Sequence, residues 1–124
     1  MTEPIVIDLP LPPKVLHPNA RPHWHVKAAA TREARRQASF LASIYRPDEP
    51  LVMACYKLEF RLPRKMDYDG LSSWCKAYFD GLVDGGILAD DADFRPDGIT
   101  RTSGKKATGG QYGVRILVYA DEEK

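Results

Sequence analysis

The chain has little cysteine, little net charge and no long apolar run. Its 124 residues hold two cysteines and a formal net charge of +1. Cys55 and Cys75 are too few to form a disulfide framework. Each sits in an apolar stretch that suits a buried, reduced thiol. No segment approaches the ~18 apolar residues of a membrane span. The first residues carry no basic n-region, and Asp8, Pro10, Pro12 and Pro13 break their apolar character, so no signal peptide is expected. A cytoplasmic protein follows. No internal repeat is present. What remains is ordinary globular composition, 44% hydrophobic and 28% charged, unlike that of a disordered chain. The length allows one domain, residues 1–120, followed by a short acidic tail at 121–124. A balance near zero speaks against nucleic acid, since domains built for it usually carry a basic excess.

That last inference averages over the chain. Residues 10–66 hold eleven basic and four acidic side chains, a net +7. Residues 67–97 hold two basic and eight acidic ones, a net −6. All eight acids there are aspartates: Asp67, Asp69, Asp80, Asp84, Asp90, Asp91, Asp93 and Asp97. Grouped carboxylates repel unless solvent, a cation or basic residues offset them. A solvated acidic surface with Asp at turns and caps accounts for the cluster equally well.

The pattern along the chain predicts β, α, β, α, β, β. This is an α+β domain with a mixed sheet and two helices. Ile5, Ile7 and Leu9 make a short strand that ends at the prolines. Residues 14–23 read as an extended loop. Residues 24–45 read as a helix, with Trp24, Ala28, Ala34, Ala38, Leu41 and Tyr45 at helical spacing. Tyr56, Leu58, Phe60 and Leu62 alternate with polar residues in a strand from about 51 to 62. A second helix is predicted over 70–84, with Leu71, Trp74, Cys75, Tyr78, Phe79 and Leu82 inward, Asp69 as N-cap and Gly85-Gly86 as terminator. Strands over 94–102 and 112–119 follow, the latter with Tyr112, Val114, Ile116 and Val118 on one face. The Gly- and Lys-containing connection 103–110 lacks the spacing of a P-loop. Trp24 and Trp74 are expected in the core.

The aspartates suggest chemistry. Asp67 and Asp69 stand two residues apart after a strand, so an extended backbone points both to one side. Asp90 and Asp91 lie in the turn after the helix that follows. A strand–helix–turn excursion of this length can bring the three carboxylates together. Hard oxygen ligands without Cys or His favour Mg²⁺ or Mn²⁺ over zinc. Such a site suits phosphodiester hydrolysis. Lys76 follows Asp69 by seven residues, about two helical turns, and would bring a cation to the phosphate. The plain alternatives are a turn with an N-cap for Asp67–Gly70, and an i,i+4 pair with Asp80 for Lys76. His17, His23 and His25 invite a metal reading, but without a third soft ligand nearby they read as loop residues.

Three runs, Asp67-Tyr68-Asp69-Gly70-Leu71, Lys76-Ala77-Tyr78-Phe79-Asp80-Gly81-Leu82 and Gly86-Ile87-Leu88-Ala89-Asp90-Asp91, occur in this order. Together with Ile7-Asp8-Leu9-Pro10-Leu11-Pro12-Pro13 they resemble the RusA-type Holliday junction resolvases, the crossover junction endodeoxyribonuclease RusA family. The resemblance touches most of the chain and is most specific over 67–94. It implies the family's dimeric α/β fold, with Asp67, Asp69 and Asp91 as metal-binding catalytic carboxylates and Lys76 as catalytic lysine. It also implies a Mg²⁺-dependent enzyme of DNA recombination and repair. Such an enzyme nicks a four-way junction on two strands and leaves ligatable 5′-phosphate ends. A two-fold substrate fits a homodimer with two sites. Two departures stand out. Gly70 replaces the family's Asn, and the lysine comes three residues late, a displacement of about 4.5 Å and 60° on one helix. Lys65 is the alternative cation, and Asp90 the competitor of Asp91 as ligand.

A DNA substrate gives the basic segment a purpose. Arg32, Arg35 and Arg36 share a helix face, which by itself reads as solvated. With Arg61, Arg64 and Lys65 they would track phosphates, and Lys105 and Lys106 would close on the junction arms. A response-regulator receiver, also of this length, is excluded by order: its acids begin near the N-terminus and its lysine follows the last Asp. A catalytically inactive junction- or DNA-binding module of the same fold and a nuclease for other branched DNA remain as alternatives.

Overall fold

The structure is a computed structural model, and it describes residues 3–92 and 94–121. Asp93 of the acidic cluster and residues 122–124 of the tail lie outside the described residues. Four strands, β1 (Ile5–Leu9), β2 (Ala54–Leu62), β3 (Phe94–Ser103) and β4 (Gly113–Ala120), form one mixed sheet in the order β1-β4-β2-β3. β2 pairs in parallel with β3 and antiparallel with β4, which pairs antiparallel with β1. The helices are α1 (Trp24–Tyr45), α2 (Leu71–Trp74), α3 (Lys76–Asp84) and α4 (Lys105–Thr108). No helix among the described residues is long and apolar enough to cross a membrane.

Period-two alternation decides the covered face of the sheet. Ala54, Tyr56, Leu58, Phe60 and Leu62 are buried along β2. Register brings Val118, Ile116 and Val114 of β4 opposite Tyr56, Leu58 and Phe60. Ile7 and Leu9 of β1 extend the same layer. The other face is largely open, which leaves Cys55 half-buried rather than buried as expected. Tyr112 falls outside the buried row because β4 begins at Gly113, and it is exposed.

α1 packs on α3 through small residues. Its buried positions are Ala34, Ala38 and Ala42, one stripe at four-residue spacing. Gly81 and Gly85 face that stripe. A Cβ on Gly81 would lie 2.5 Å from the Arg35 carbonyl oxygen, and one on Gly85 would lie 2.4 Å from Ala42 Cβ. The close approach turns the bulky ends of α1 outward. Trp24 is 73% exposed, correcting the expectation that it lies in the core, and Tyr45 is exposed as well. Trp74 is buried as expected. Its indole N–H donates to the Pro13 carbonyl at 2.9 Å, and its ring lies parallel to Phe60.

Two helices were expected and four are present among the described residues. The expected helix over 70–84 is split at Cys75 (φ −91°, ψ 7°) into α2 and α3, with all six predicted apolar residues still buried. Asp69 is not its N-cap. Gly70 occupies that position in the left-handed region (φ 83°), and no side chain caps the helix. A single 3-10 turn, Lys14–Leu16, interrupts the expected extended loop.

A bipartite candidate active site

The loop after β2 carries Asp67 and Asp69 past the end of the strand rather than at it. Both are exposed, and both line one cleft of about 630 Å³. His17, Arg64 and Lys65 line the same cleft. Tyr68 between the two aspartates is covered instead by Arg101 of β3, whose guanidinium carbon lies 4.0 Å from the ring centroid. The backbone is not extended here as expected: it bends at Tyr68 and turns at Asp69 and Gly70, with the Leu71 amide donating to the Tyr68 carbonyl at 3.1 Å, so the two carboxylates reach one cleft across a turn. Gly70 closes the loop. A Cβ there would meet Pro18 Cγ at 3.2 Å, and its positive φ disfavours other residues. Gly70 is thus a residue that this turn requires.

Lys76 opens α3, and its ammonium donates to Asp80 at 2.7 Å and to Asp91 at 2.8 Å. The i,i+4 pair expected as the plain alternative is therefore present, and Asp91 joins it from the loop before β3. The hydrogen bond to Asp80, then that to Asp91, holds Lys76 above the ordinary lysine range, with burial opposing. The Lys76 hydrogen bond in turn holds Asp91 below the usual carboxylate range. Asp90 accepts from the Ala92 amide at 3.1 Å, a local turn contact. This resolves the two neighbours: Asp91 faces the lysine and Asp90 its own backbone.

The two clusters are neighbours. A second cleft, lined by Lys76 and Asp80 with Lys27 and Thr31 of α1, shares Pro18 as a wall with the first. The crossover from β2 to β3 thus carries Asp91 to Lys76, and it does not carry it into the cleft of Asp67 and Asp69. Among the described residues, no three His, Cys, Asp or Glu side chains gather closely enough to hold a metal ion. Asp67 and Asp69, which share a cleft, are the residues that would hold a hard cation there. Mg²⁺ is usually held by one or two carboxylates, with waters and substrate phosphates completing its shell.

The basic residues divide. Arg35 bonds Asp84 through two nitrogens, at 2.5 and 3.0 Å, and ties α1 to the end of α3. Arg36 bonds Glu33 on its own helix. Their charges are therefore partly offset, whereas among the described residues no carboxylate pairs with Arg32, Arg64, Lys65, Lys105 or Lys106. Lys27 was missed as a site residue and His17 was set aside as a loop residue, because only tertiary proximity brings them to the clefts. Neither stands in a motif.

A scan of the chain against protein-family models gave no match, and a search of curated proteins gave none.

Proposed function

We propose that the chain is a Mg²⁺-dependent endodeoxyribonuclease of the RusA type that resolves four-way DNA junctions by paired nicks. The observation that carries this reading is the cleft shared by Asp67 and Asp69 with Arg64 and Lys65, next to the charged Lys76. Two hard carboxylates beside two cations suit a phosphodiester. Asp67 and Asp69 would hold Mg²⁺ or Mn²⁺, which when bound polarises the phosphate and activates water. Arg64 and Lys65 bind the phosphate oxygens and orient the strand. Lys76 stays protonated at neutral pH and offsets charge that accumulates at phosphorus. The break at Cys75 supports its assignment. α3 starts afresh at Lys76, so three extra residues between Asp69 and the lysine do not rotate it around one continuous helix.

The enzyme acts as a homodimer in the cytoplasm, where reduced thiols persist. Phe40 and Ile44, one turn apart on α1, are 63% and 57% exposed and offer an apolar contact for a second copy. A catalytically inactive DNA-binding module is the second reading. It is favoured by the engagement of Asp91 with Lys76, which keeps the third carboxylate from the pair.

The test uses purified protein on a synthetic four-way junction and a matching linear duplex, with Mg²⁺ or EDTA. Wild type nicks the junction only with Mg²⁺, and Asp69→Asn binds it without nicking. Absence of Mg²⁺-dependent nicking leaves the binding module. Equal cutting of the duplex removes the junction from the proposal.

A further inference from the structure

His17 follows the 3-10 turn at Lys14–Leu16 and lines the cleft of Asp67 and Asp69. It is half-buried. Its Nδ1 accepts the Asn19 backbone N–H at 3.2 Å. A neutral imidazole that accepts on Nδ1 carries its proton on Nε2. The ring stands edge-on to Trp74, with centroids 5.4 Å apart. Trp74 is itself fixed by Pro13 and Phe60. One ring nitrogen is thus engaged with the backbone and the ring rests on a buried indole. Arg64 and Lys65 are long, exposed side chains with many rotamers. His17 stands at the edge of this cleft and of a neighbouring one walled by Pro13 and Trp74, and brings there a ring whose ordering entropy is already spent in the folded chain.

We infer that His17 is a catalytic residue that donates Nε2–H to a non-bridging oxygen of the phosphodiester in this cleft. The inference rests on the reading of the cleft as a phosphodiester site. A fixed donor gains strength where negative charge grows during attack at phosphorus, so its effect falls on turnover more than on binding. The role needs a neutral ring and no proton transfer. Acceptance at Nδ1 and donation from Nε2 are satisfied together.

Two measurements test it. Long-range ¹H–¹⁵N spectra of the full ¹⁵N-labelled chain report the protonated nitrogen of each histidine. The Nε2–H form is expected for His17, and its signal shifts on adding four-way junction in EDTA. A Nδ1–H form, or an unmoved signal with junction bound, overturns the inference without reference to activity. In nicking assays, His17→Ala lowers kcat by about 10²-fold with KM little changed. His17→Gln, whose amide nitrogen reaches the place of Nε2, restores part of the loss, and the shorter His17→Asn does not. Thermal unfolding of the three variants separates this pattern from a loss of folding. Wild type that does not nick sinks the proposed function. Wild type and His17→Ala nicking at equal rates sinks the role of His17 alone.

Discussion

Lys76 is the residue at which charge and geometry meet. Its ammonium bridges Asp80 and Asp91; both carboxylates stabilise the charged lysine, and the lysine stabilises the charged form of Asp91. The raised lysine value favours the folded state at all pH below the ordinary lysine range, and this contribution is lost as pH rises through the raised value. The lowered Asp91 value contributes above the ordinary carboxylate range and is lost as pH falls through the lowered value. The bridge is therefore intact across neutral pH and opens in acid. The side chain of Lys76 is 62% exposed, so what lowers its reactivity towards an amine reagent would be hydrogen bonding rather than shielding. With an amine-reactive reagent at about pH 8.5, Lys76 is expected to label more slowly than Lys105 and Lys106, as read by peptide mass spectrometry. Asp80→Asn combined with Asp91→Asn raises its labelling towards theirs. Equal labelling in the wild type would show that the bridge is not maintained in solution.

Helix packing depends on what is missing from side chains. α1 and α3 approach closely because Gly81 and Gly85 lie against Ala38 and Ala42. Gly81→Ala puts a methyl 2.7 Å from Ala38 Cβ and 2.5 Å from the Arg35 carbonyl oxygen, so α1 must shift. A cost of about 1–3 kcal/mol is expected from overpacking, read by urea unfolding, and an unchanged midpoint would contradict the crossing. The same spacing accounts for the ends of α1. Helical periodicity was legible, and the helix runs over the predicted residues 24–45. Its inward face was legible in the middle, where Ala34 and Ala38 are buried and Leu41 packs against the core, but not at the ends, where Trp24 and Tyr45 are exposed, because large apolar residues are the usual guide to burial and here alanines fill the contact. The split at Cys75 was equally hidden, since the apolar period continues across it without interruption.

On the scale of the molecule, one face of the sheet is roofed by helices, and an exposed apolar strip runs along α1. Scattered apolar residues at a surface are ordinary, but Phe40 and Ile44 are neighbours on the helix, and Tyr45 is exposed beside them. If this strip joins two copies, Phe40→Glu with Ile44→Glu shifts the mass in light scattering from dimer to monomer. A wild type that is already monomeric would remove both the dimer and the paired nicks that depend on it. The near-zero net charge also takes a spatial meaning. Arg64 and Lys65 from the basic segment share a cleft with the first two aspartates of the acidic one.

Strand and helix identity, the two clusters of charge and the candidate aspartates were legible in the sequence, because alternation, helical period and residue chemistry are local properties. Tertiary structure alone decided three things. Register and crossover brought Asp91 to Lys76 and left Asp67 and Asp69 as a pair across Pro18. Close packing against glycine chose which side of α1 is inside. The 3-10 turn after the prolines delivered His17 to the aspartate cleft. Each depends on contacts between residues far apart in the chain, to which no local period responds.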